Sequence, residues 1–244
     1  MLNPELQGYK EQSESPVWKL LYKIKWVQLA DIIDLHELKI LDFGSGFGTT
    51  ANFLAKNNEV IAVEPRDDII QVRENENHYT QLHGGLDIIK KMEDNTFDVI
   101  ICHNVLEFAS KDDERVNIVK EFSRLLKNNG ILSIIKNNGV GRIIAKVVHE
   151  NNVDEAINLL KGGHIANVFG RVDLYDYNDI EKWGENLKIE KLLGVRTFYG
   201  LQQNSELQHE PGWIDNMFNI EMKTCDMEPY KSISLFHHVI LRKN

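Results

Sequence analysis

A chain of 244 residues, 42% hydrophobic and 27% charged, has the size and balance of one large globular domain with room for an insertion. A formal net charge of -9 argues against a broad nucleic-acid-binding face and leaves RNA only a local basic patch. Cys102 and Cys225 lie far apart and match no metal-ligand spacing. No apolar run reaches membrane-spanning length and the N-terminus has no apolar signal core, so the expectation is a cytoplasmic protein without membrane or metal.

In chain order, residues 18–35 carry Leu20, Leu21, Ile24, Val27, Ala30 and Ile33 at helical spacing. Ser15 and Pro16 supply a cap and first turn, so an N-terminal helix over 15–35 is expected to cover whatever site the sheet offers. KILDF (residues 39–43) is a short buried strand ended by glycines, followed by a helix over 49–57. EVIAVE (59–64) is a second strand, with a helix from Pro65 to about Glu74. YTQLH is a weaker third strand and residues 97–104 a strong fourth. Asp112 or Asp113 is expected to cap a helix bearing Val116, Val119, Phe122, Leu125 and Leu126, closed by Gly130 as a left-handed cap. ILSIIK (131–136) is the fifth strand. Alternating strands and helices imply right-handed crossovers and a parallel sheet covered on both faces.

Over 137–176 the pattern changes to two helix-like pieces around a Gly162-Gly163 hinge, read as an insertion or lid beside the site within a single domain over 1–244. A short helix over 179–186, a strand from Leu187 with an irregularity at Gly194, a helix from Trp213 to about Met227 and a long terminal strand complete the chain.

The stretch LDFGSGFG carries the chemistry. Glycines after a parallel strand open a crevice at the carboxyl edge of the sheet, where nucleotide-like ligands bind. The spacing D-x-G-x-G-x-G differs from the dinucleotide fingerprint, and no lysine follows to make a phosphate-cradling loop. Asp42, an anion beside the loop, would repel pyrophosphate and favour a cationic ligand. Glu64, ending the second strand, is placed to accept two hydrogen bonds from a ribose diol. A ligand with ribose, adenine and positive charge but no phosphate is S-adenosylmethionine.

These residues resemble the class I S-adenosylmethionine-dependent methyltransferases: LDFGSGFG is similar to the first motif, VIAVEP to the acidic second-strand motif, GGLD to the adenine-contacting loop and FDVIICHNVLEF to the fourth-strand motif. The resemblance implies a Rossmann-like, doubly wound α/β fold, a mostly parallel seven-stranded sheet with an antiparallel C-terminal strand and a helical insertion near the active site. It further implies that Asp42, Gly44, Ser45, Gly46 and Gly48 border the methionine part of the cofactor. Glu64 and Pro65 would lie at the ribose, Gly85, Leu86 and Asp87 at the adenine, and His103 and Asn104 under the sulfonium. The product would be S-adenosylhomocysteine.

The later motifs, Asn138 to Gly141 and Gly194-Val195-Arg196 with the aromatic residues after it, are similar to a bacterial subgroup that methylates 5-carboxymethoxyuridine at the tRNA wobble position. A carboxylate is anionic at neutral pH and needs no strong base, only alignment and exclusion of water. Arginine suits it because both oxygens can be bound, which makes Arg196 the first candidate and Arg142 the second, with His103 and Asn138 as further reacting groups. The subgroup's cofactor-contacting arginine near the first helix has no counterpart here, leaving Lys19, Lys23 or Lys25 as substitutes. Two other readings stay open: a methyltransferase for a small metabolite, with His103, His149, His164, Tyr175 or Tyr177 as base, and a cofactor-binding protein without transfer activity. His237 and His238, neighbours on a strand, point to opposite faces and are not expected to share a metal. Oligomeric state is not legible.

Overall fold

The computed structural model describes residues 2–109, 112–203 and 206–244. Its main sheet is built from β1 (Lys39–Phe43), β2 (Glu59–Glu64), β3 (Thr80–His83), β4 (Phe97–His103), β5 (Leu126–Asn137), β8 (Leu187–Val195) and β9 (Phe236–Lys243). The strand order is β3-β2-β1-β4-β5-β9-β8. β1 to β5 pair in parallel and β9 is antiparallel to both of its neighbours. This is the doubly wound, mostly parallel α/β sheet that the alternation of elements predicts. The chain winds outward through β2 and β3 and returns beside β1 as β4, so the crevice opens at the carboxyl ends of β1 and β4.

Two layers of helix bury the sheet. One face is covered by α2 (Pro16–Ala30), α3 (Thr49–Leu54) and α10 (Trp213–Thr224), whose Leu20, Leu21, Ile24, Leu29, Ala51 and Leu54 pack on β1, β4, β5 and β9. Against the other face lie α5 (Leu86–Ile89), α6 (Asp112–Leu125) and α9 (Asp179–Trp183), through Ile89, Val119, Phe122, Leu125 and Ile180. Single turns α4 (Asp67–Ile70) and α11 (Tyr230–Ile233) close two loops.

Several elements differ from expectation, each for a local reason. A further helix, α1 (Pro4–Ser13), precedes α2 and is capped by the Asn3 side chain on the Leu6 amide, 2.9 Å. Its mixed composition hid it from apolar periodicity. α2 stops at Ala30, not Leu35: Asp31 caps it, and Ile32 and Ile33 reach the core from the turn that follows. α4 is one turn, not a helix to Glu74, since the chain is drawn back over the glycine loop: the Glu74 amide donates to the Phe47 carbonyl (2.8 Å) and the Tyr79 hydroxyl to the Glu74 carbonyl (2.6 Å). Gly130 is not a left-handed cap. Asn129 takes the positive φ of 64°, and Gly130 instead admits the Lys127 carbonyl, which a Cβ would meet at 2.8 Å. In β8 the register slips at Ile189/Lys191 and not at Gly194, which stays opposite His237. The start of α6 adjoins residues 110 and 111, and the Asp112 side chain expected to cap it lies outside the described residues.

The insertion holds α7 (Gly139–Val148) and α8 (Val153–Leu160), followed by a hairpin of β6 (Ile165–Asn167) and β7 (Gly170–Val172) too short to show in the sequence pattern. Its tip residue Phe169 packs edge-on against Tyr9 of α1 at 4.8 Å, and Tyr9 stacks over Phe47 of the glycine loop at 6.2 Å. Where α7 starts, Gly141 lies so close to β9's approach that a Cβ there would sit 2.0 Å from the Ser234 carbonyl oxygen. Gly141→Ala should therefore cost about 1–3 kcal/mol through overpacking against backbone, read as a lower urea midpoint at unchanged m-value.

Candidate functional site

The glycine loop leaves β1 through Gly44, Gly46 and Gly48, all at positive φ. At Gly44 the requirement is double, because a Cβ would also lie 2.3 Å from Val105 in the turn after β4. The Gly44 amide donates to the Val63 carbonyl at 2.8 Å, which ties the loop to the end of β2. Glu64, the next residue, is buried; its carboxylate accepts from the Gly46 amide (2.9 Å) and the Arg66 amide (3.1 Å). Two backbone donors fix the carboxylate, and each oxygen keeps a lone pair for a further donor. Burial raises its pKa, and the two amides oppose that shift.

Asp42 sits under the same loop, 3% exposed, with Oδ2 lacking any hydrogen-bond partner. Desolvation pushes its pKa up to about 7, against the attraction of Lys25, and Glu64 adds repulsion. Lys25 of α2 is itself 4% exposed and is driven down to about 8 by burial, with Asp42 supporting its charge. Its ammonium lies 4.2 Å from the Tyr22 ring centroid. Of the three lysines considered from sequence, Lys25 is the one whose charge acts on this carboxylate. Lys19 is exposed, and Lys23 pairs with Asp215 at 3.2 Å.

At the end of β4, His103 and Asn104 face the same opening. Asn104 takes φ 56° and its amide donates to the Ile135 carbonyl (2.7 Å), leaving Oδ1 buried and unpartnered. His103 Nε2 lies 2.8 Å from Ser133 Oγ, while Nδ1 is buried with no partner. Burial first, then Lys25 and His238, hold its pKa well below the usual histidine value. Ser45 Oγ is a fourth unpartnered atom. Buried polar groups are normally satisfied, and four unpartnered atoms at the carboxyl ends of β1 and β4, two of them acceptors on Asp42 and Asn104, suit a polar, partly cationic ligand. At the far edge, the Gly85 amide donates to Asp87 Oδ1 at 3.1 Å, Leu86 is half-buried, and the Pro65 carbonyl lies 2.9 Å from His83 Nε2.

A second group forms beyond β5. Arg196, at φ 63°, has its Nε buried without a partner and its guanidinium 5.4 Å from the Tyr199 ring centroid. Arg142 of α7 donates through Nε to Asn137 Oδ1 at 2.5 Å and lies 4.9 Å from the Phe236 ring. Burial lowers the Arg142 pKa to about 10, and the next cause is repulsion from Arg196. Two partly desolvated guanidiniums in one electrostatic environment suit an anion. Thr197 Oγ1, Tyr199 OH, Gln202 Oε1 and Trp213 Nε1 around them are also unpartnered.

Sequence reading missed what holds this group. Glu221 of α10, 1% exposed, accepts from the amides of Thr197 (2.9 Å) and Phe198 (2.8 Å) and so shapes the loop that carries Arg196. Glu107, equally buried, accepts from the Asn137 amide at 2.7 Å. A lone glutamate in a helical or turn stretch reads as surface, and no signal in the sequence distinguished either. Asn138, expected among the reacting groups, gives both amide protons to the Ser232 and Ser234 carbonyls (2.8 Å each) and caps α7 through Val140. Its geometry is that of a cap. Among the alternative bases, His149 and His164 are exposed on the insertion, and burial drives the Tyr175 pKa well above its ordinary value, so Tyr175 is no base at neutral pH. His237 meets the Lys231 carbonyl and His238 meets Ser133, from opposite faces of β9.

A family model described as a methyltransferase domain matches residues 41–134. The tRNA 5-carboxymethoxyuridine methyltransferase of Escherichia coli K12 is 23% identical over 218 residues, covering 85% of this chain and 81% of that protein. Among solved structures, an S-adenosylmethionine-dependent methyltransferase from Mesorhizobium loti superposes with a TM-score of 0.56 at 13% identity, covering 95% of this chain and 99% of the other. A TehB-like S-adenosylmethionine-dependent methyltransferase from Corynebacterium glutamicum gives 0.55 at 16% identity over 99% of this chain and 100% of the other. The chain thus carries a methyltransferase domain in the class I fold, and S-adenosylmethionine is the cofactor of that domain and fold. The residues present fit it: an unpartnered buried carboxylate suits an ammonium, and a backbone-anchored Glu64 suits a diol.

Because Asp42 titrates near 7, its charged form is lost as pH falls through neutrality. Affinity for S-adenosylmethionine, followed by calorimetry from pH 8 to pH 6, should weaken on the acid side by up to tenfold per unit, and Asp42→Asn should flatten that dependence. Glu64→Ala should weaken binding about tenfold at every pH, as loss of a charge-assisted pair of hydrogen bonds.

Proposed function

We propose that the protein transfers the methyl group of S-adenosylmethionine to an anionic oxygen, and that the acceptor is the carboxylate of a modified tRNA wobble uridine. The observation that carries this reading is the Arg142–Arg196 pair beside the end of β5, two half-buried guanidiniums of which Arg196 keeps a buried Nε without a partner and repels Arg142. An anion between them relieves the repulsion, and a guanidinium can hold both oxygens of a carboxylate. The likeness to the E. coli tRNA enzyme, at 23% identity, supports the choice of acceptor.

When bound, S-adenosylmethionine supplies an electrophilic methyl on a sulfonium and leaves as a neutral thioether. The residues here would do the rest. Arg196 and Arg142 would orient the acceptor oxygen, and His103, kept neutral, would not compete for it as a cation. Tyr9, Phe47 and Phe169 would close the glycine loop to water. No general base is required for an acceptor already ionised at neutral pH.

A second reading, a small carboxylic acid as acceptor, is favoured by one feature. Several cations on α2, α7 and β7 are already matched: Lys23 by Asp215 at 3.2 Å, Lys146 by Glu150 and Glu155 at 2.6 and 2.8 Å, and Arg171 by Asp173 at 2.8 Å. Paired cations attract phosphate less. Labelled methyl groups transferred into an extract, separated into tRNA and small-molecule fractions, decide between them. Label in tRNA whose incorporation falls with added salt supports the first reading, and label in the small-molecule fraction replaces it with the second.

Arg196→Ala should lower transfer about 10- to 100-fold, the worth of a charge-assisted hydrogen bond to a desolvated anion, while S-adenosylmethionine affinity stays within twofold. Unchanged transfer would remove Arg196 from the acceptor site.

A further inference from the structure

A line of buried hydrogen bonds runs from His103 away from the crevice and through the sheet to α2. His103 Nε2 lies 2.8 Å from Ser133 Oγ on β5, and Ser133 Oγ lies 2.7 Å from His238 Nε2 on β9. His238 Nδ1 lies 2.8 Å from Gln28 Oε1 on α2, and Gln28 Nε2 donates to the Gly194 carbonyl on β8 at 3.0 Å. Gln28, Ser133 and His238 are at most 1% exposed, so water does not interrupt the line.

The direction of every proton in it follows from its last member. A backbone carbonyl only accepts, so the Gln28 amide must turn Nε2 toward Gly194, which leaves Oε1 as an acceptor toward His238. His238 Nδ1 must then carry the proton. Burial, reinforced by Lys25, holds the His238 pKa down to about 3, so the ring is neutral and its Nε2 is bare. The Ser133 hydroxyl proton points at that bare nitrogen. The serine oxygen is then free only to accept, and His103 must donate to it from Nε2. The reverse polarity would set His238 Nδ1 and Gln28 Oε1 lone pair against lone pair. A flipped Gln28 amide would do the same at Gly194.

We propose that Gln28, Ser133 and His238 are positioning residues that fix His103 in the single tautomer protonated on Nε2, so that Nδ1 presents a bare lone pair at the end of β4. That nitrogen is one of the unpartnered buried atoms at the crevice, with Asp42 Oδ2, Ser45 Oγ and Asn104 Oδ1. Its chemistry selects a donor: a hydroxyl or N–H on the methyl acceptor, carried beside the anionic oxygen that the arginines take. The role of the lone pair rests on the methyl-transfer reading of the site; the tautomer does not. Specificity for an acceptor with both an acid and a donor group is the consequence.

The test separates those two parts. Imidazole nitrogen NMR of the full-length protein with labelled histidine reads the tautomer without any acceptor. His103 should show Nε2–H and a bare Nδ1, and Ser133→Ala should turn it into a tautomer mixture. Transfer of labelled methyl into the tRNA-plus-metabolite extract, at saturating S-adenosylmethionine, should fall about tenfold in Ser133→Ala and His238→Leu with cofactor affinity within twofold. His238→Gln, whose amide can accept from Ser133 and donate to Gln28, should recover most of the rate. A protein that is only held together by this line would show no such rescue beyond its stability. His103 protonated on Nδ1 in the unaltered protein, or wild-type transfer by Ser133→Ala, overturns the proposal.

Discussion

The site is organised around a carboxylate that has been taken out of water. Asp42 lies at the carboxyl end of β1 beneath the glycine loop, where no solvent reaches Oδ2. A desolvated acid either stays neutral or finds a counter-charge, and here the answer is intermediate. Its pKa is close to 7, and Lys25 supplies the nearby cation at its own cost in desolvation. Packing of Leu20, Leu21, Ile24 and Leu29 holds α2 over the sheet, and from the next turn of the same helix Gln28 enters the hydrogen-bond line to His103. One helix thereby serves both the charge at β1 and the proton positions at β4.

Two groups of unpartnered polar atoms divide the work. Those at β1 and β4 suit a cofactor with ribose and ammonium, and beside them Phe47 of the glycine loop packs with Tyr9, which Phe169 meets from a distant part of the chain. Around Arg142 and Arg196 the second group lies beyond β5 on the insertion and the loop after β8. A fold shared by many methyltransferases offers the first group as a matter of topology, whereas the second lies on segments outside the methyltransferase-domain match over residues 41–134, where the proposed acceptor site would be set. Glu221 and Glu107, both buried and both accepting backbone amides, are what hold those segments in place.

Legibility in the sequence followed the length scale of each signal. β1 and β2 were readable to the residue because a buried parallel strand is a continuous apolar run ended by glycine or an acid. The glycine loop, Asp42 and Glu64 were readable because they lie within one local turn of such strands. α4 was misread because the chain beyond it is captured by Phe47, 27 residues back, a long-range contact, and closed locally by Tyr79. Gly130 was misread because its neighbour Asn129 tolerates the left-handed region, a choice that composition leaves open.

The sequence by itself therefore determined the alternation of the core strands and helices, the crevice and the kind of cofactor, since these depend on periodicity and on glycine and acid placement over a few residues. Tertiary structure alone decided which lysine of α2 lends its charge to Asp42, that Arg142 and Arg196 share one electrostatic environment, and that Ser133, His238 and Gln28 form a single line. Those pairings join residues separated by 17 to 210 positions, counted from Lys25–Asp42 to Gln28–His238. Their geometry is set by how α2 and β9 pack on the sheet, and packing is a property of the folded chain as a whole.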